Sequence, residues 1–230
     1  MGIPPDIAIK IAFGTNLLVV LPTAISGALG HNRRGSVRWK AALGLGSFGL
    51  AGALGGAALA VHFLPGGALK IAFGGVVLAG ALWMGLDAVL KLTRERGELR
   101  ENLALLAPCG FPIGMVTGLT SLGGGILVVP MLVLASGFPM HLAVGTSTAV
   151  IAFTSLGGVI GYALNGPGVP EFLPHSVGYV NLPIWLCLAA TGVPMAQLGA
   201  KVAHALPAKR LMYVFIAVMV YVGLKMLGVV

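Results

Sequence analysis

Apolar residues run along this chain in long stretches, and polar residues gather in short gaps between them. Six stretches, at residues 7–30, 40–63, 69–90, 142–164, 180–203 and 211–227, have roughly the 20-residue length that a helix needs to cross a bilayer. None alternates apolar with polar, so the short strands of an outer-membrane barrel are excluded. A seventh apolar region, at 103–136, is too long for one helix and is interrupted by Pro108, Gly110, Pro112, Gly114, the triplet Gly123, Gly124 and Gly125, and Pro130. Proline removes a backbone donor and clashes with the preceding turn, and glycine weakens a helix. The pattern predicts two short half-helices meeting at the glycines. Non-helical backbone at membrane depth persists only where protein buries it or where it lines a wet cavity. The broken region is therefore the expected functional element.

Composition sharpens this picture. At 57% hydrophobic and 9% charged residues, the chain carries more apolar surface than one soluble core of this length can bury. It reads as an all-α polytopic membrane protein. The net charge of +8 would suit nucleic acid, but Lys and Arg sit in the gaps, where they hold loops in the cytoplasm. The lipid bilayer is the expected partner, and nucleic acid is not. Cys109 and Cys187 lie inside apolar segments without CxxC spacing, so no disulfide or metal framework is expected. The first apolar stretch has no basic leader or small-residue exit, so no cleavable signal is expected.

The sequence also repeats. Ala12-Phe-Gly-Thr-Asn16 matches Ala143-Val-Gly-Thr-Ser147, and the same offset of 131 carries Thr23 to Thr154, Gly27 to Gly158 and Gly30 to Gly161. His62-Phe-Leu-Pro65 matches His204-Ala-Leu-Pro207 at an offset of 142. Loop charge flips between the copies. The stretch from His31-Asn-Arg-Arg-Gly35 to Lys40 is basic, whereas its counterpart at 165–179 has no Lys or Arg and carries Glu171. The 62–69 turn holds only a histidine, whereas its counterpart has Lys201, Lys209 and Arg210. Such a flip marks an inverted-topology repeat. The predicted fold is two inverted three-span repeats with a broken or re-entrant helical element between them. Residues 1–91 form the first unit, 92–101 a charged cytoplasmic loop, and 102–230 the second unit, which opens with the broken helix at 102–136. If both halves obey the charges, the broken region enters and leaves on the cytoplasmic side, as a re-entrant hairpin does.

The run Gly118-Leu-Thr-Ser-Leu-Gly-Gly-Gly-Ile-Leu-Val-Val-Pro130, followed by Gly137-Phe-Pro139 and Ala143-Val-Gly-Thr-Ser147, resembles the TauE/SafE sulfite-exporter family. The resemblance extends to Ser155-Leu-Gly-Gly158, Tyr162, Gly178-Tyr-Val-Asn181 and His204-Ala-Leu-Pro207, and in the first half to Gly14-Thr-Asn16 and His31-Asn-Arg-Arg-Gly35. It implies export of a small anion such as sulfite, or an organosulfur or organic anion. Members of the family begin with a first glycine-rich segment, whereas Met1-Gly-Ile-Pro4 resembles the stretch that follows one. The first half is therefore expected to lack its own broken element.

An oxyanion needs donors aimed into a dry site without a permanently trapping charge, and broken helices put such N-termini at the midplane. Gly123, Gly124 and Gly125 would let backbone amides approach the ligand, and Thr120 and Ser121 would add hydroxyls. Thr146, Ser147 and Thr148 open the next span, with Thr15 and Asn16 as their repeat partners. Small residues also simply let membrane helices pack, which is the preferred reading of Gly157, Gly158 and Gly161. Asp87 is expected to pair with Lys91 one turn on, His62 and His204 to serve their turns, and Lys10, Lys40, Lys70, Lys201 and Lys225 to snorkel. Trp39 and Trp185 read as interface or packing aromatics. No HExxH, GxSG or paired-carboxylate constellation appears, so neither an enzyme nor a cofactor is expected. The expected function is a secondary transporter of the inner membrane, coupled to protons or to the membrane potential. A passive anion channel or a non-transporting membrane subunit is the other class, and a homo-oligomer stays open.

Overall fold

Prolines in extended conformation set three of the helix starts: Pro4, Pro139 and Pro207 have ψ of 138, 144 and 145° and stand as N-caps. Their rings suit the residue before a helix and not its interior. The computed structural model describes residues 4–90, 103–121, 123–166 and 174–228. Within these, the helices are α1 (Pro5–Asn32), α2 (Trp39–Phe63), α3 (Gly66–Leu90), α4 (Leu103–Thr120), α5 (Gly125–Ser136), α6 (Met140–Leu164), α7 (Leu182–Ala205) and α8 (Ala208–Met226). A small antiparallel hairpin, β1 (Ser176–Val177) with β2 (Val180–Asn181), precedes α7. The Lys91 partner suggested for Asp87, the charged loop 92–101 and Glu171 lie outside the described residues.

Among the described residues four helices, α1, α2, α6 and α7, are long and apolar enough to cross a membrane. Many of their large apolar side chains face outward, among them Leu29, Leu43, Phe48, Leu186, Leu198 and Val202. That surface suits lipid tails and not water. The interrupted region is two helices meeting at the glycine triplet, as expected, but Pro108, Pro112 and Pro130, with Gly110 and Gly114, lie inside them and end neither. At 1.5 Å per residue the 12-residue α5 is about 18 Å long, too short to cross alone.

Two packings organise the bundle. In the first, α1 and α6 run antiparallel: Gly27 faces Thr148, Leu17 faces Gly158, Gly14 lies against Tyr162 and Gly145 against His31. Adding 131 to Gly27 and subtracting it from Thr148 gives Gly158 and Leu17; the same operation on Gly14 and Tyr162 gives Gly145 and His31. In the second, α2 and α4 meet backbone to backbone. A Cβ on Gly52 would overlap the Phe111 carbonyl oxygen, one on Gly114 the Gly49 oxygen, and one on Gly118 the Ala53 oxygen. Small residues let membrane helices approach this closely. Below the break, Val128, Val129 and Leu132 of α5 join Val77, Ala81 and Met84 of α3 in the main buried cluster.

Pro22 sits inside α1 and cannot donate to the carbonyl four residues back. The Trp185 indole of α7 takes that Leu18 oxygen at 3.1 Å. The tryptophan thus closes a backbone group that the proline leaves open. Lys10 donates to the Val61 carbonyl at 2.7 Å, which ties the start of α1 to the end of α2. Cys109 and Cys187 are exposed and form no disulfide among the described residues.

Candidate functional site

At the end of α4 the backbone turns left-handed three times: φ is 58° at Ser121, 69° at Gly123 and 80° at Gly124. Glycine adopts such angles freely, but a serine must be held there by its surroundings. Ser121 is held by α1. Its hydroxyl donates to the Phe13 carbonyl at 2.7 Å, and the Asn16 amide donates to the Ser121 carbonyl at 2.9 Å and reaches its hydroxyl at 3.3 Å. From the opposite side, the Thr154 hydroxyl of α6 donates to the Gly123 carbonyl at 3.0 Å. A Cβ at Gly124 would stand 2.6 Å from the Thr117 hydroxyl. The break is therefore clamped between two helices and buried.

Asn16 lies near the middle of α1 and Thr154 near the middle of α6. The N-terminus of α5 thus starts halfway along both long helices. Gly124 is its N-cap and has no side chain with which to cap it, and the first amides of any helix lack intrahelical acceptors. Those amides and the helix dipole give the point a partial positive charge without a fixed cation. Ser155, next to Thr154, is fully buried with a hydroxyl that finds no partner among the described residues. Beside Asn16, a cavity of about 480 Å³ is lined by Ala8, Ile11, Ala12, Thr15, Asn16, Ile184 and Leu188.

The structure brings Ser121, Gly123 and Gly124 together with Asn16, and places Gly125 at the start of α5 against Ile151. It does not bring the 146–148 block to them. Thr146 is eight residues before Thr154 on α6, about 12 Å along the axis. Its hydroxyl accepts from the Arg38 amide at 3.0 Å, and Arg38 is the N-cap of α2. Thr15 does the same work in the other half, accepting from the amide of Asn181, the N-cap of α7, also at 3.0 Å. The preceding glycines permit the approach: a Cβ on Gly145 would overlap the Ser36 carbonyl oxygen, and one on Gly14 would meet the Tyr179 carbonyl oxygen at 2.6 Å. Each Gly-Thr pair docks the loop that starts the following long helix. Ser147 and Thr148 donate to the Val144 carbonyl, and Thr120 to the Val116 carbonyl, within their own helices.

Sequence reasoning did not single out Thr117 or Thr154 as site residues. The offset from Thr23 to Thr154 was a usable signal. Both hydroxyls back-bond to carbonyls three and four residues earlier, Val20 and Val19 in one copy and Ile151 and Val150 in the other. Only Thr154 has a glycine turn in front of it.

The family model of the sulfite exporter TauE/SafE matches residues 3–226. A probable membrane transporter protein of Methanocaldococcus jannaschii is 31% identical over 226 residues, 98% of this chain and 81% of the relative. One from Haemophilus influenzae is 25% identical over 98% of this chain and 84% of its own length. Another, from Bacillus subtilis, is 26% identical over 85% of this chain and 78% of its own. No solved structure matches the chain. The family and these relatives support a multi-pass membrane transporter.

Proposed function

The chain belongs to the sulfite exporter TauE/SafE family, and from that premise we propose that it is a secondary transporter exporting a small anion, sulfite or an organosulfur or organic anion, across the cytoplasmic membrane. The observation that carries the reading is the clamped break, with the α5 N-terminus opening between the midpoints of α1 and α6. Donors without a fixed charge suit a ligand that must be released after capture. The paired contacts across α1 and α6 support two inverted repeats around that crossing. On this reading the loop 33–38 and the turn at 206–208 share the cytoplasmic side, since Arg33, Arg34, Lys201, Lys209 and Arg210 cluster there and basic loops resist translocation. Thr120, Ser121, Gly123, Gly124, Gly125 and Asn16 then belong to the site, whereas Thr15 and Thr146–Thr148 shape it from the helix starts.

Proteoliposomes loaded with sulfite test the reading. Efflux should exceed that of protein-free vesicles and change with an imposed proton gradient or potential. Gly124→Val, which puts a branched side chain at φ 80° against Thr117, should abolish efflux at normal membrane abundance. Absence of efflux for every small anion offered, or full efflux from the variant, would sink the proposal. Efflux indifferent to both gradient and potential would favour a passive channel.

A further inference from the structure

Three histidines that lie far apart in sequence meet at one end of the α1–α6 crossing. His31 Nδ1, in the last turn of α1, and His204 Nε2, in the last turn of α7, are 3.0 Å apart. His141, in the first turn of α6, stacks on the His204 ring with centroids 5.3 Å apart and planes 16° from parallel. His31 is buried, at 5% exposure. The charged and titratable groups acting on it are His204, Arg34 and His141, and Arg34 is itself anchored to the Gly30 carbonyl at 2.9 Å. At the other end of the crossing the repeat-equivalent positions hold Lys10, bonded to Val61, and Tyr162, bonded to Gly118. Among the described residues, only the basic-loop end carries a group of facing imidazoles.

Two facing ring nitrogens can share one hydrogen bond only while one of them lacks a proton. The neutral pair fits, and a pair carrying one extra proton fits as N⁺–H···N. With two extra protons both nitrogens are donors, neither accepts, and two cations face each other beside Arg34. The ends of α1 and α7 must then part. Histidine is the side chain whose ordinary titration spans pH 5 to 8, and a coupled pair takes its protons in successive macroscopic steps.

We propose that the His31–His204 pair, with His141 stacked on it, is the proton-binding site of the transport cycle and opens the basic-loop end of the protein when doubly protonated. This rests on the transporter reading above and assigns its coupling ion. Protons taken up at this end separate α1 from α7 and uncover the path toward the break, so efflux rises as internal pH falls.

The test uses the full chain in liposomes, with the native cysteines replaced and spin labels at Ser36 and Ala205. In wild type the distance between labels should lengthen as pH falls from about 7 to about 4, and sulfite efflux should rise about tenfold over the same internal range. In His204→Gln and His31→Gln, which keep a hydrogen-bonding side chain but cannot take a proton, the distance should stay fixed and efflux should vary less than about twofold. His141→Gln, outside the 3.0 Å pair, should keep the response with a shifted midpoint, and it serves if the other variants fail to fold. An unchanging distance in wild type, an unchanged response in His31→Gln or His204→Gln, or an unshifted midpoint in His141→Gln overturns the proposal. If wild type moves its labels with pH but exports no anion, the transporter reading fails and the proton site stands.

Discussion

α2 and α7 hold equivalent places in the two halves of the chain and begin in the same way, yet their surroundings differ. Each starts from a loop docked by a Gly-Thr pair of the other half, Gly145-Thr146 for α2 and Gly14-Thr15 for α7. Half of the most apolar stretch of α2 is buried within the protein, against 6% of that of α7. The cause is α4, which lays Gly110, Gly114 and Gly118 against the backbone of α2; the outer side of α7 presents Leu186, Met195, Leu198 and Val202. Where each helix begins is thus set by a Gly-Thr pair, and what covers it is set by a neighbour that α7 lacks among the described residues.

Substitutions on the two faces should separate these effects most strongly. Gly52→Leu drives a side chain into the Phe111 carbonyl and should cost about 3 kcal/mol or more, since a backbone cannot yield as a side chain does. Gly199→Leu on α7, where nothing lies within 4 Å, should stay within about 0.5 kcal/mol of wild type or gain slightly in helix propensity. Thermal melting in detergent reads both, and equal losses would show that α7 is covered after all. A smaller effect tests the shared start: Thr15→Val and Thr146→Val should each cost about 1 kcal/mol by leaving an N-cap amide without its acceptor. Their costs should add in the double variant, because the two sites lie at opposite ends of the crossing. If only one substitution is felt, the halves do not share the device. The smallest contrast is Thr154→Val against Thr23→Val. Both lose back-bonding within a helix, but Thr154 also gives up the Gly123 carbonyl, so it should cost roughly 0.6 kcal/mol more.

The long helices were legible because length and apolarity are local signals, and the described helices fall within a few residues of the six apolar stretches. The break was legible for the same reason, since Gly123 and Gly124 sit together where φ turns positive. Partners were not. The sequence marks Thr15 and Thr146 as repeated polar residues, but their acceptor role depends on amides 166 and 108 residues away. Pro22 announces an open carbonyl at Leu18 without saying that Trp185 will take it. The hairpin before α7, which moves the helix start to Leu182, carries too few residues to show a strand period. His31, His141 and His204 look like three unrelated loop-end residues until the antiparallel crossing of α1 and α6 gathers them.

The glycine contact between α2 and α4 also bears on how the protein is made. Thirty-nine residues separate the end of α2 at Phe63 from the start of α4 at Leu103, and a ribosome adding about 5–20 residues per second needs some seconds to cover them. Through that interval α2 is already synthesised, while the face that will receive Gly110, Gly114 and Gly118 stands open to lipid or to the insertion machinery. Slow codons between the two helices lengthen the exposure in proportion. The yield of correctly inserted protein is therefore sensitive to silent changes in that stretch of message, which leave every contact of the finished molecule as it was.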